Sequence, residues 1–107
     1  MEYKKLTREE LKEKMDRNDS FVLIEVLDAE EYEKEHIQGA VNIPLKEVGH
    51  TVKDKYPKDK EIVVYCAHFD CKASPNAAQK LVNLGFTNVF DYPGGKADWK
   101  QAGLPME

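Results

Sequence analysis

The sequence predicts an α/β domain with a mainly parallel central sheet flanked by helices on both faces. Three observations lead there. The runs Phe21-Val22-Leu23-Ile24 and Ile62-Val63-Val64-Tyr65 are short, apolar and without polar alternation, the pattern of strands buried on both faces. Segments with helical start and stop signals lie between the strand-like runs. Strands that alternate with helices favour parallel pairing through crossover connections.

Taken in order, Thr7 and Glu10 form a capping box. They open a helix whose apolar Leu11 and Met15 are four apart and share a face. Asn18-Asp19 ends it before the Phe21 strand. Asp28 with Glu31 caps a short helix through Glu35. Gly39 turns the chain into a second strand, Ala40-Val41-Asn42-Ile43, which Pro44 stops. Leu45 to Tyr56 is expected to be helical and broken near Gly49. A turn at Pro57 and Lys58-Asp59-Lys60 precedes the Ile62 strand. Ser74-Pro75 then reads as an N-cap with proline at the first helical position. Ala77, Ala78, Leu81, Val82 and Leu84 mark that helix, and Gly85 closes it. Val89-Phe90 is a further strand. Gly94-Gly95 leads into a last helix carrying Trp99, closed by Gly103 and Pro105.

At 107 residues the chain is expected to be one domain spanning 1–107. Sixteen basic residues are interleaved with twenty acidic ones, for a formal net charge of -4. That leaves no basic footprint for nucleic acid. The lysines between Lys53 and Lys60 are interrupted by Asp54 and Asp59 and read as a solvated face. No apolar run approaches the ~20 residues that span a bilayer. The start, Met1-Glu2-Tyr3-Lys4-Lys5-Leu6, has no apolar signal core, so a cytoplasmic location is expected. Neither a nucleic-acid nor a membrane partner is expected, and the chain is expected to act as a monomer.

Two cysteines are too few for a disulfide scaffold. Both lie in Cys66-Ala67-His68-Phe69-Asp70-Cys71. Cys66 follows a buried strand and precedes a helix N-terminus. In open parallel sheets, ligands bind beyond the carboxyl ends of strands. A loop there can turn its N–H groups inward as an anion cradle, and the helix dipole stabilises a thiolate. His68 and Lys72 add positive charge, and Asp70 opposes them. The expectation for Cys66 is a partly exposed thiol of low pKa. The competing reading is a small buried hydrophobe that merely ends a strand. Cys66, His68 and Cys71 offer three metal-ligating side chains, but structural zinc needs four at spacings this loop lacks. No metal site is assigned.

Several motifs in order resemble the single-domain rhodanese (thiosulfate sulfurtransferase) family, over nearly the whole chain. Leu23-Ile24-Glu25-Val26 through Glu30-Glu31-Tyr32 resembles the family's first strand and following helix. His36-Ile37-Gln38-Gly39-Ala40-Val41-Asn42-Ile43-Pro44-Leu45 is similar to its first signature, usually written HIPGAINIP. Ile62-Val63-Val64-Tyr65-Cys66 matches the strand carrying the family nucleophile. Ala77-Ala78, Leu81, Leu84-Gly85-Phe86 and Val89 match the helix and strand after it. Gly94-Gly95, Trp99 and Gly103-Leu104-Pro105 match the closing signature.

The resemblance implies a rhodanese-like fold and transfer of sulfane sulfur through a Cys66 persulfide. The partners implied are a small sulfur-donor anion such as thiosulfate and a thiol or cyanide acceptor, a protein thiol included. No cofactor is implied. Ala67, His68, Phe69, Asp70, Cys71, Lys72, Ala73 and Ser74 would form the substrate-binding loop, holding donor and persulfide through their amides. His36 is expected to make a structural hydrogen bond at a turn. Tyr92 and Trp99 are expected to support the core.

The departures from the pattern sit at the site. The distance from Cys66 to the paired alanines is two residues longer than usual, and the loop holds neither glycine nor arginine. Without arginine's rigid fork, thiosulfate is expected to be a poor donor, with Lys72 a partial substitute. Glu25 and Leu27 stand where the family usually has Asp and Arg. The longer loop also resembles that of the related cell-cycle phosphatases, but Lys72 stands where they carry arginine, so phosphatase activity is not expected. Cys71 is an addition. It is a candidate resolving thiol that would convert a Cys66 persulfide or sulfenate into a Cys66–Cys71 disulfide. The alternatives to an enzyme are a non-catalytic rhodanese-like binding module and a Cys66/Cys71 redox sensor.

Overall fold

A computed structural model describes residues 2–107. Five parallel strands, β1 (Lys4–Lys5), β2 (Phe21–Glu25), β3 (Val41–Asn42), β4 (Glu61–Tyr65) and β5 (Val89–Tyr92), form one sheet in the order β1-β5-β4-β2-β3. Among the described residues four helices connect successive strands, α1 (Arg8–Asp16), α2 (Ala29–Lys34), α3 (Leu45–Lys55) and α4 (Ala73–Asn83), and α5 (Gly95–Gln101) follows β5. The expected α/β class and the helix-covered parallel sheet are what the chain adopts.

Strand β4 shows why. Its side chains alternate between two apolar layers, as the two-residue period of a strand requires. Ile62, Val64 and then Cys66 join Ile24, Val48, Val52, Ala77, Ala78 and Leu81 in the layer beneath α3 and α4. Val63 and Tyr65 join Leu11, Leu23, Ile37, Tyr92 and Trp99 in the layer beneath α1 and α5. Trp99 is fully buried and meets Tyr92 edge-to-face, with ring centroids 6.1 Å apart. Both residues therefore support the core, as expected.

Local signals placed most boundaries. Thr7 caps α1 with both hydrogen bonds of the capping box in place. Three details differ from expectation. Strand β1 was not anticipated, because two exposed lysines carry no apolar pattern; it is an edge strand held by pairing with Phe90 and Asp91. Helix α3 runs through Gly49 without a break. A β-carbon at Gly49 would lie 3.2 Å from the Lys80 side chain, so this glycine lets α3 pack closely on α4. Helix α4 starts at Ala73, with Lys72 rather than Ser74 as N-cap. Proline is tolerated at position 75 because first-turn amides have no intrahelical partner.

The tail from Leu104 onward returns to the segment after α2. Ile37 and Met106 form an antiparallel bridge, and His36 and Glu107 exchange two backbone hydrogen bonds. The His36 ring stacks on Tyr32 with centroids 3.8 Å apart, and its Nδ1 lies 2.8 Å from the Tyr32 carbonyl. His36 thus has the structural role at a turn expected of it. Among the described residues, no helix is long and apolar enough to cross a membrane.

Candidate active site

Cys66 stands one residue beyond β4, at the carboxyl end of the sheet, on the side chain layer beneath α4. Its Sγ lies 3.4 Å from Ser74 Oγ in the first turn of α4. The Ser74 hydroxyl makes this contact and does not cap the backbone of α4. Cys66 and Ser74 are each only 1% exposed. The thiol is therefore not the partly exposed group the sequence suggested. Its side chain sits in the apolar layer with Val64, Ala77 and Ala78. Cys66 and Cys71 are joined by a disulfide across a Cα–Cα distance of 6.4 Å, within the range that disulfides span.

The loop between them is a tight turn. The Cys71 amide donates to the His68 carbonyl at 3.1 Å, and the Asp70 amide donates to His68 Nδ1 at 3.2 Å. The His68 side chain is spent on this turn and does not approach Cys66 as an orienting base. His68, Phe69, Asp70 and Lys72 are exposed, while Ala67, Cys71 and Ala73 are half-buried. Phe69 is 69% exposed and borders a cleft of about 350 Å³ that Arg8, Tyr92 and Gly94 also line. Ala67 and His68 border a second cleft of about 660 Å³ on the other side, with Lys96 and Lys100 in its wall.

Helix α5 holds the other flank of the loop. The Lys96 amide donates to the Cys66 carbonyl at 3.0 Å and the Ala97 amide to the Ala67 carbonyl at 2.9 Å. The Lys96 ammonium continues inward. It donates to Glu25 Oε2 at 3.1 Å and to the carbonyls of Glu31 and Glu35, each at 2.8 Å. Glu25 is completely buried, and its Oε1 accepts from the Tyr65 hydroxyl at 2.8 Å. Burial beside the Glu25 carboxylate pushes the Tyr65 hydroxyl pKa far up, so it stays a donor. The sequence marked Glu25 only as a departure from pattern; here it is the anchor of a buried ion pair beneath the loop. Nothing in the sequence signalled Lys96, an ordinary lysine near a helix start.

Asp91 was also missed. It is 2% exposed, and its Oδ1 is a buried oxygen without a hydrogen-bond partner. Burial raises its pKa, with the Ser74 hydroxyl and Lys5 opposing the shift. A charged residue inside the otherwise apolar Val89–Tyr92 strand was the signal to look for.

The cysteine-bearing loop thus lies where open parallel α/β sheets bind their ligands, between the end of a central strand and a helix N-terminus. Residues 7–102 match the rhodanese-like domain family. A thiosulfate sulfurtransferase GlpE of Coxiella burnetii is 34% identical over 100 residues, covering 94% of this chain and 90% of that protein. A Bacillus subtilis protein named as a putative sulfur carrier, YrkF, is 35% identical over 94 residues, covering 88% of this chain and 49% of that one. The solution structure of the rhodanese-like domain of Alr3790 from Anabaena sp. superposes with a TM-score of 0.88 at 29% identity, covering all of this chain and 80% of that one. The chain belongs to the rhodanese-like family, and it is an enzyme of the sulfurtransferase class.

Proposed function

We propose that the chain moves sulfane sulfur from a small anionic donor to a thiol acceptor through a persulfide on Cys66. The observation that carries this reading is the position of Cys66: end of β4, Sγ against Ser74 Oγ, at the head of α4. The Cys66 thiolate would attack the outer sulfur of a donor such as thiosulfate and expel sulfite. The Ser74 hydroxyl and the amides of Ala73 and Ser74, which have no intrahelical partner, would stabilise the resulting anionic sulfur. Ala67, His68, Phe69, Asp70, Cys71, Lys72 and Ala73 would frame the donor. Lacking arginine, the loop is better suited to persulfide donors than to thiosulfate.

The disulfide bears on this reading directly. With Cys66 bonded to Cys71 the sulfur cannot form the thiolate that attacks, so the competent form is the reduced one. The same bond supports a second reading, a Cys66/Cys71 redox sensor. Transfer of sulfur from a small-molecule persulfide to a thiol, followed with the pre-reduced protein, separates the two. Transfer that vanishes in Cys66→Ser supports the enzyme. Transfer that proceeds equally in wild type and Cys66→Ser, or that is absent from both, removes it.

A further inference from the structure

We propose that Cys71 is a second catalytic cysteine, which discharges the Cys66 persulfide as sulfide and makes reduced thiols the reductant of the cycle. This rests on Cys66 carrying the persulfide.

Three features place Cys71 for that step. The His68–Cys71 turn folds the chain back so that the two sulfurs meet. Cys66 is 1% exposed whereas Cys71 is half-buried, so of the two bonded sulfurs Cys71 belongs to the more accessible residue. Cys71 also immediately precedes the Lys72 N-cap of the eleven-residue α4, where the positive end of a helix favours negative charge. An attacking thiolate held this close acts at a far higher effective concentration than any free thiol.

The chemistry balances without an outside oxidant. The Cys71 thiolate attacks Cys66 Sγ, forming the Cys66–Cys71 bond. The bond from Cys66 Sγ to the outer sulfur breaks. That sulfur leaves with the electron pair as hydrosulfide and takes up a proton from water. The sulfane sulfur is reduced by two electrons, and the two cysteines together are oxidised by two. To reopen the site, one thiolate of the reductant attacks the more accessible Cys71 Sγ and Cys66 leaves as thiolate. The second thiol of the reductant then resolves the mixed disulfide and frees Cys71. With thiosulfate as donor and a dithiol as reductant the sum is thiosulfate plus dithiol giving sulfite, hydrogen sulfide and the oxidised dithiol. The class of reaction that must support this enzyme is therefore one that regenerates reduced thiols, two monothiols or one dithiol per turnover, and its characteristic product is sulfide.

The test is a single turnover. Reduced, desalted protein without added thiol receives a small-molecule persulfide, and released sulfide and intact mass are read together, with Cys66→Ser as the blank. Wild type is expected to release roughly one sulfide per chain above the blank and to end as the 66–71 disulfide, with no sulfur retained. Cys71→Ser is expected to hold the added sulfur, about 32 Da, and to release no sulfide above the blank. Cys71→Ala is expected to do the same and covers a folding defect specific to serine. Wild type that retains the sulfur as Cys71→Ser does, with no burst of sulfide, overturns the role of Cys71 while leaving the persulfide standing. No sulfur gained and no sulfide released in either protein overturns the persulfide and the inference with it.

Discussion

A β-carbon built on Gly95 would lie 2.5 Å from the carbonyl oxygen of Cys66. Gly95 also has φ +66°, a left-handed conformation that glycine alone adopts freely. The first turn of α5 thus presses on the backbone of the candidate nucleophile, and the hydrogen bonds from Lys96 and Ala97 complete that contact. Gly95→Ala is expected to be destabilising by more than about 1 kcal/mol. Because the clash is with backbone, it should also displace residues 66–68. Denaturant melts would give the first effect, and amide chemical shifts of residues 66–74 the second. An unshifted loop in a stable variant would contradict this packing.

The buried ion pair beneath the loop is the next test. Lys96 satisfies Glu25 and two carbonyls at the end of α2, so removing its ammonium leaves a completely buried carboxylate with only the Tyr65 hydroxyl. Breaking such a pair from one side costs about 3–5 kcal/mol. Lys96→Met is expected to fall in that range by urea denaturation. The double variant Lys96→Met with Glu25→Leu is expected to recover much of the loss, since both charges are then gone. Failure of the double variant to recover would mean that packing volume dominates over charge.

Asp91 makes a pH-dependent contribution whose sign follows from burial. Its pKa is raised in the folded protein, so across the window between its ordinary and its raised value the folded state binds more protons than the unfolded state. Stability from this group is then greatest at low pH and is lost as pH climbs through the raised value. The difference in unfolding free energy, wild type minus Asp91→Asn, is expected to decline as pH rises above the usual aspartate range and then level off. A difference that grows with pH over the same window would show that the carboxylate is stabilised in the folded protein.

Ser74 bears on reactivity. Its Oγ is the side-chain group hydrogen-bonded to Cys66 Sγ. Ser74→Ala is expected to slow alkylation of reduced Cys66 at neutral pH by about tenfold, the equivalent of one hydrogen bond to a charged sulfur. The midpoint of its pH profile should move upward. An unchanged midpoint would limit Ser74 to packing.

Much of this architecture was legible in the residues. The continuous apolar runs at 21–24 and 62–65 marked two central strands, and the Thr7 capping box placed the start of α1 correctly. The strand–Cys66–loop–helix order was also legible, and the structure has that order. What escaped was tertiary in origin. The Lys4–Lys5 strand exists only through its pairing with β5. Ser74 looked like a cap because serine before proline usually is one, but its hydroxyl contacts the Cys66 sulfur instead. The burial of Cys66 comes from long-range packing in the apolar layer beneath α3 and α4, and its bond to Cys71 from a turn that a five-residue separation permits without requiring. The Lys96–Glu25 pair joins residues far apart in sequence, and no local pattern marks such partners.

The most direct measurement locates the transferred sulfur. Reduced Cys71→Ser protein, folded by circular dichroism, is treated in turn with thiosulfate and a small-molecule persulfide, then digested without reductant and mapped by mass. The peptide containing Cys66 is expected to gain about 32 Da, one sulfur atom, more completely from the persulfide. A Cys66 peptide that keeps its unmodified mass with both donors would contradict the account at its centre.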